Sequence, residues 1–401
     1  MNYFITVIFY FLLANTLLHR FYAEEVVLRV GEKTVNYGRT KRQAYLRESW
    51  PNFNKWPEGI VNYYFDKGTF DTRLTNSVLQ ATEKISAHTC IVFSRRPADF
   101  MLKVQTDGKK CEAAIGRVYP DQHLSVPLSC YSAGSICHEL IHVLGFIHSH
   151  QRMDRDEYLK LNISASSTPT WSAEFSNMQY RKYANQILLV PYDYGSVMQY
   201  SDEDDEYNPK NPEYHRTMGS NIVSFYDYLM INLHYECYCS ANFEIDCKHY
   251  GYPNPSNCHE CNCPLGFGGL DCSERPEPGE TLTAVEEWRN TKVSLDAGYT
   301  NIGNDTKFQQ IDYVYQYLWI TAPVNKTIEI DLKELSGVKC DYGCKEGGIE
   351  VKTHPDPRMT SPRACCSDEK QIYKSQNNPT IVMFYNLKGL NEYKLSYRFI
   401  D

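Results

Sequence analysis

Sorted into apolar and polar positions, the 401-residue chain changes character several times. Tyr3 to Leu18 is almost wholly apolar, short for a membrane-spanning helix, and placed where a secretory signal sits, so residues 1 to 23 are expected to be cleaved near Ala23. No Lys or Arg precedes the run and Arg20 follows it, which leaves an uncleaved anchor as the alternative. Residues 24 to 42 are charged and end in "RTKR", a dibasic pattern that predicts a short propeptide with its exit at Arg42; an exposed basic loop is the competing reading. From 43 to 237 strand-like runs such as "IVNYYFD" and "IVFSRR" mix with helical stretches, as in a packed α/β domain. Residues 238 to 273 hold too few apolar positions for a core. After the hinge "SERPEPGE", residues 282 to 401 alternate apolar and polar in "YLWITA", "TIEIDL", "IEVKTH" and "YKLSYRFI", which predicts a β-sandwich.

Composition sharpens this picture in two respects. A formal net charge of -8 gives no basic field, so nucleic acid is not an expected partner. Fifteen cysteines behind a signal segment point to an oxidising compartment and a secreted, extracellular protein without a membrane span. Cys239, Cys247, Cys258, Cys261, Cys263 and Cys272 fall within 34 residues, and disulfides are expected to replace the missing core there. A zinc site on the C-x-x-C-x-C within them is the weaker alternative, since an oxidising compartment and an even count favour bridges. Cys340, Cys344, Cys365 and Cys366 allow two more bridges. Asn162, Asn304 and Asn325 begin sequons and are expected to carry glycans. The acidic run "SDEDDE", residues 201 to 206, reads as a solvated surface because its spacing is not that of an EF-hand loop.

Chemistry concentrates in "CHELIHVLGFIHSH", residues 137 to 150. His138 and His142, four apart, share one face of a helix and can grip one ion. Gly145 lets the chain leave the helix, so that His148 arrives from another direction as the third ligand. Three imidazoles leave zinc an open position, as in catalytic and not structural sites. Glu139 sits beside the first ligand on the wrong side to be a fourth, and is the expected general base. A histidine on an apolar helix face is ordinarily a core residue, but that reading does not account for the full H-E-x-x-H-x-x-G-x-x-H spacing. His150 falls outside this spacing and is expected at the surface or behind the ligands.

"HELIHVLGFIHSHQRMDRDEY", "SVMQY", "SFYDYLMINLHYEC" and "CPLGFGGLDC" together resemble the astacin family of secreted zinc endopeptidases, which belong to the metzincins, and more closely its nematode members with an EGF-like module and a CUB domain. "YLWITAPVNKTIEIDL" and "RACC" look like CUB sequence. The resemblance implies a two-lobed α/β peptidase with one zinc at the bottom of a long cleft, held by His138, His142 and His148, with Glu139 as base. It implies that Met198 forms an apolar floor in the Met-turn and that Tyr200 stabilises the transition state. It also implies bridges from Cys90 to Cys237 and from Cys111 to Cys130, an EGF-like module over 238 to 273, a CUB-like domain over 282 to 401, extracellular protein or peptide substrates, and a matrix or cell-surface partner for the CUB domain. Cys137 is then the odd cysteine, expected as a small buried hydrophobe.

Three positions depart from the family. Ser149 stands where Glu usually follows the third ligand and meets the mature N-terminus; Gln199 replaces the Met-turn histidine; and residues 24 to 42 lack the F-x-G-D pattern whose aspartate caps the zinc of many proenzymes. None removes a ligand or the base. The alternative function, a catalytically inert matrix-binding protein acting through its EGF-like and CUB domains, is disfavoured by the intact ligand set; a metal-dependent lyase or esterase has no supporting residue.

Overall fold

A computed structural model describes residues 55–67, 72–106, 108–152, 154–162, 190–201, 207–240, 245–301, 307–367 and 371–401, together with the backbone of strands β1 (Val27–Val30) and β2 (Lys33–Asn36). The expected signal segment, the basic exit at Arg42, the sequon at Asn304 and most of the acidic run lie outside them. β1 and β2 pair antiparallel, Val27 opposite Asn36.

The first core is built on a five-stranded sheet from β3 (Ile60–Phe65), β4 (Val92–Ser94), β5 (Met101–Gln105), β6 (Glu112–Ala113) and β7 (Asp121–Ser125), in the order β4-β3-β5-β7-β6. All pairings are parallel except that of β6, an antiparallel edge strand beside β7. Helix α1 (Thr72–His88) buries Leu74, Ser77, Val78, Ala81, Thr82 and Ile85, the three-and-four spacing of one helical face. That face packs against helix α2 (Ala133–Val143), which starts at the N-cap Ser132, whose side chain accepts from the Ser135 N–H, and is buried along most of its length. β8 (Leu159–Leu161) pairs with β9 (Tyr207–Pro209), and helix α3 (Phe225–Tyr235) completes the core. α3 begins with a capping box between Ser224 and Asp227. A disulfide joins Cys90, just past α1, to Cys237, just past α3, and another joins Cys111 to Cys130. Cys137 is fully buried and unbridged, and burial pushes its thiol up to about 12, so it is an inert packing residue.

The cysteine-dense piece holds one hairpin, β10 (Tyr252–Asn254) with β11 (Asn257–Asn262), and the bridges Cys239–Cys258, Cys247–Cys261 and Cys263–Cys272. All six cysteines are thereby spent, which removes the zinc alternative for this segment. It also serves its neighbour: Asn254 and Asn262 donate to the carbonyls of Ala87 and His88 at the end of α1, carbonyls that a helix terminus leaves unpaired.

The last piece is two packed sheets. One runs β12-β16-β21-β18-β19 and the other β13-β22-β17-β20, from β12 (Gly279–Thr283), β13 (Arg289–Asp296), β16 (Val314–Thr321), β17 (Thr327–Ser336), β18 (Gly347–Val351), β19 (Arg363–Ala364), β20 (Ile372–Ser375), β21 (Thr380–Asn386) and β22 (Leu390–Ile400). The short pair β14 (Tyr299–Asn301) and β15 (Lys307–Gln309) lies between β13 and β16. Alternation along these strands puts Leu318, Ile330, Val382 and Leu395 into one core between the sheets. The hinge read from the sequence ends earlier than expected, because Gly279 and Glu280 already belong to β12 and pair parallel with β16. Bridges Cys340–Cys366 and Cys344–Cys365 close one end.

Candidate metal centre

His138 and His142 lie one helical turn apart on α2. The helix stops at Val143, Leu144 caps it, and Gly145 at φ +104° turns the chain in a conformation unfavourable for any other residue. The turn delivers His148 back to the same spot. One ring nitrogen from each of the three lies within 4.8 Å of the other two. Nε2 of His142 and Nε2 of His148 are 2.9 Å apart.

The residues fit zinc. Tetrahedral ligation at about 2.1 Å places donor nitrogens about 3.4 Å apart, inside this spread. More telling is what the opposite ring nitrogens do. Nδ1 of His138 donates to the carbonyl of Val197 at 2.6 Å, and Nδ1 of His142 donates to that of Phe146 at 2.7 Å. Each ring is thereby fixed in the tautomer that turns the Nε2 lone pair toward the common centre, the usual arrangement behind a metal-bound imidazole.

Residues 196 to 199 form the tight turn that supplies one of these carbonyls. Val197 holds His138, and the Met198 carbonyl accepts the Ser149 N–H at 2.8 Å, so the turn fixes both the first ligand and the residue after the third. The Met198 side chain is buried within the main core. The turn is itself anchored by Asp227 of α3. Its carboxylate accepts from the Ser196 hydroxyl at 2.6 Å, the Val197 N–H at 2.9 Å and the Ser224 N–H at 2.8 Å. Burial nevertheless pushes this carboxyl up to about 6.

Glu139 is almost buried beside the triad. Burial and the nearby charge of Glu112 raise its carboxyl to about 8, partly offset by a hydrogen bond from the Ala113 backbone on edge strand β6. A dication at the triad pulls in the opposite direction, toward the charged form. Tyr200 borders the open side, 42% exposed, its ring 4.0 Å from that of His148 and 5.8 Å from that of His138. Its backbone is clamped: the Tyr207 hydroxyl and Gln199 Nε2 both donate to the Tyr200 carbonyl, at 2.9 and 3.0 Å, and Tyr192 donates to Gln199 Oε1. Gln199 is therefore a cross-link within the turn.

His150 is not a surface residue. It is fully buried, its ring stacked on that of His148 at 5.0 Å and on that of Tyr207 at 5.6 Å. Ser149 sends its hydroxyl to Ser196 at 3.3 Å, and so reaches Asp227 at one remove. Asp154 and Asp156, the other acids near the third ligand, are paired with Arg152 and Arg155. Sequence reasoning missed Asp227 and the carbonyls of Val197 and Phe146. Carbonyls carry no signal in a sequence, and the Ser224-x-x-Asp227 spacing marks a helix start without revealing that the same carboxylate also ties down a turn thirty residues earlier.

The family model Astacin, a peptidase family, matches residues 49–236. The zinc metalloproteinase-like protein nas-21 of Caenorhabditis elegans is 53% identical over 100% of both chains, and the zinc metalloproteinase nas-22 of the same organism is 47% identical over 89% of this chain and 99% of its own. High choriolytic enzyme 1, a hatching enzyme zinc-protease from the medaka fish Oryzias latipes, is 26% identical with a TM-score of 0.41, over 49% of this chain and 100% of that one. A three-histidine centre within a match to the astacin peptidase model, in a chain 47% identical to the zinc metalloproteinase nas-22, defines a zinc metalloendopeptidase with one zinc ion. The chain belongs to the astacin family.

Proposed function

We propose that the protein is a secreted endopeptidase that hydrolyses peptide bonds of extracellular proteins, with Glu139 as general base. Zinc, when bound by His138, His142 and His148, supplies a Lewis acid that polarises a carbonyl and makes a water nucleophilic near neutral pH. The rest falls to the chain's own side chains. Glu139 takes the proton of the attacking water and returns it to the leaving amine, and its low exposure keeps that carboxylate in a water-poor pocket where proton transfer is efficient. Tyr200, beside two ligand rings and open to the cleft, directs its phenol to the oxygen on which negative charge develops. Met198 packs beneath the ligands as an apolar floor. The single observation that carries the reading is a histidine triad whose first two rings are oriented from behind by backbone carbonyls, with a buried carboxylate one residue from the first ligand.

The remaining assignments belong to the same proposal. Residues 1 to 23 are a signal peptide, 24 to 42 a propeptide removed after Arg42, and 43 to 237 the peptidase domain. Residues 238 to 273 are an EGF-like module, and 282 to 401 a CUB-like domain that binds a matrix or cell-surface partner. Seven disulfides among the described residues support an extracellular setting, and no helix among those residues is long and apolar enough to cross a membrane. Asn162 and Asn325 are the acceptor sites among the described residues, Asn325 on an exposed turn. Profiling of peptides released from an extracellular proteome by the zinc-loaded mature protein tests the reading; a chain that holds zinc and releases none refutes it.

A further inference from the structure

The loop of residues 352–362, between β18 and β19 of the C-terminal sandwich, lies against the peptidase domain. It is pinned from inside by the buried Glu350, which accepts from the Ser361 N–H and from Arg363 Nε, both at 2.9 Å, and pairs with Lys352 at 2.7 Å. With one buried carboxylate shared between two cations that flank the loop, the loop is tied at both ends. What it presents is Thr360. Its hydroxyl donates to Oδ2 of Asp193 at 3.1 Å, while Oδ1 of the same carboxylate accepts the Gly195 N–H at 3.0 Å. Both partners are buried, and a Cβ on Gly195 would stand 2.3 to 2.5 Å from Thr360 side-chain atoms. Gly195 leads directly into Ser196 and Val197, the turn whose carbonyl orients His138.

The same domain grips the other side of the centre. The Ala133 N–H, at the start of the helix that carries His138 and His142, donates to the Ile311 carbonyl at 2.7 Å, and Lys84 of α1 pairs with Asp312 at 2.6 Å. Arg363 donates its N–H to Thr217 at 2.9 Å and its guanidinium to Ser220. Both elements that set the ligand rings, the helix and the turn, are thus braced by the sandwich.

We propose that Thr360 is a positioning residue for the peptidase reaction. By holding Asp193 it fixes the turn that orients His138, and the C-terminal sandwich is a working part of the metal site as well as a docking module. The inference rests on the zinc-peptidase reading.

The test uses the full processed chain, zinc-loaded, with a generic quenched-fluorescence peptide mixture as substrate. Thr360→Val should lower kcat by about tenfold, with KM, zinc content and melting temperature close to wild type, and Thr360→Ser should restore it to within about threefold. Gly195→Ala should lower kcat in the same way, because its Cβ would push the Thr360 side chain off Asp193. Wild-type kcat in Thr360→Val overturns the proposal. So does a loss of kcat matched by lost zinc or melting temperature and not rescued by Thr360→Ser, since the contact is then only structural. A wild-type chain that binds zinc and cuts nothing sinks the peptidase reading itself, and is recognised before any variant is compared.

Discussion

The Ser196 hydroxyl donates to the buried carboxylate of Asp227 at 2.6 Å, and through this contact helix α3 holds the turn that orients the first metal ligand. The contact has a pH signature. Asp227 is pushed up to about 6 by burial, above the roughly 3.9 of an unfolded aspartate. A carboxyl raised on folding contributes stability that is complete below the unfolded value and is lost as pH climbs through the folded one. Against Asp227→Asn, which does not titrate, the wild type should therefore lose on the order of 3 kcal/mol between pH 4 and pH 7. Denaturant unfolding of both proteins with a chelator present checks this, and parallel stability curves would refute it.

Glu139→Gln keeps the shape of the side chain and removes its capacity to take a proton. Zinc content should stay at one per chain while turnover falls by about a hundredfold to ten-thousandfold. Metal analysis beside peptide hydrolysis decides it. Full activity in the variant would move the base to another group.

Tyr200 is half open to solvent and touches ligand rings by its face, so its loss should disturb the folded state little. Tyr200→Phe should lower kcat by roughly tenfold to a thousandfold with KM nearly unchanged, because the interaction exists only once charge has developed. A drop in melting temperature or zinc content of matching size would show a structural residue instead.

Ser149 offers a new N-terminus no charge, and its hydroxyl is already directed to Ser196. A neutral hydrogen bond there is worth only about 1 kcal/mol. Cutting after Arg42 should be required for activity, yet chains starting two residues before or after Gln43 should differ by less than about threefold. Activity that collapses with ragged ends would mean that a carboxylate meets the terminus, and Asp227, one hydroxyl away from Ser149, would be the acid to test first.

The parts of this molecule that could be read from sequence are those in which side-chain spacing does the work. H-E-x-x-H puts two rings on one helical face, Gly145 returns the third, and the β-alternation after residue 282 accounts for the sandwich. What escaped reading is made of backbone groups and of long-range contacts. The carbonyls of Val197 and Phe146 carry no letter of their own, and nothing local to "MTSPR" announces that Thr360 will meet Asp193 across 167 positions. The spacing left His150 either at the surface or behind the ligands, and its buried ring, stacked 5.0 Å from that of His148, takes the second place.

The bridge between Cys90 and Cys237 spans 147 positions and encloses His138, Glu139, His142, His148 and the turn that orients His138. A single cut in a surface loop inside that span, including one the enzyme makes in a neighbouring copy of itself, leaves both fragments covalently tethered. Proteolytic wear in such a loop should therefore show as two bands on a reducing gel and one on a non-reducing gel, with peptidase activity surviving until the disulfide is reduced.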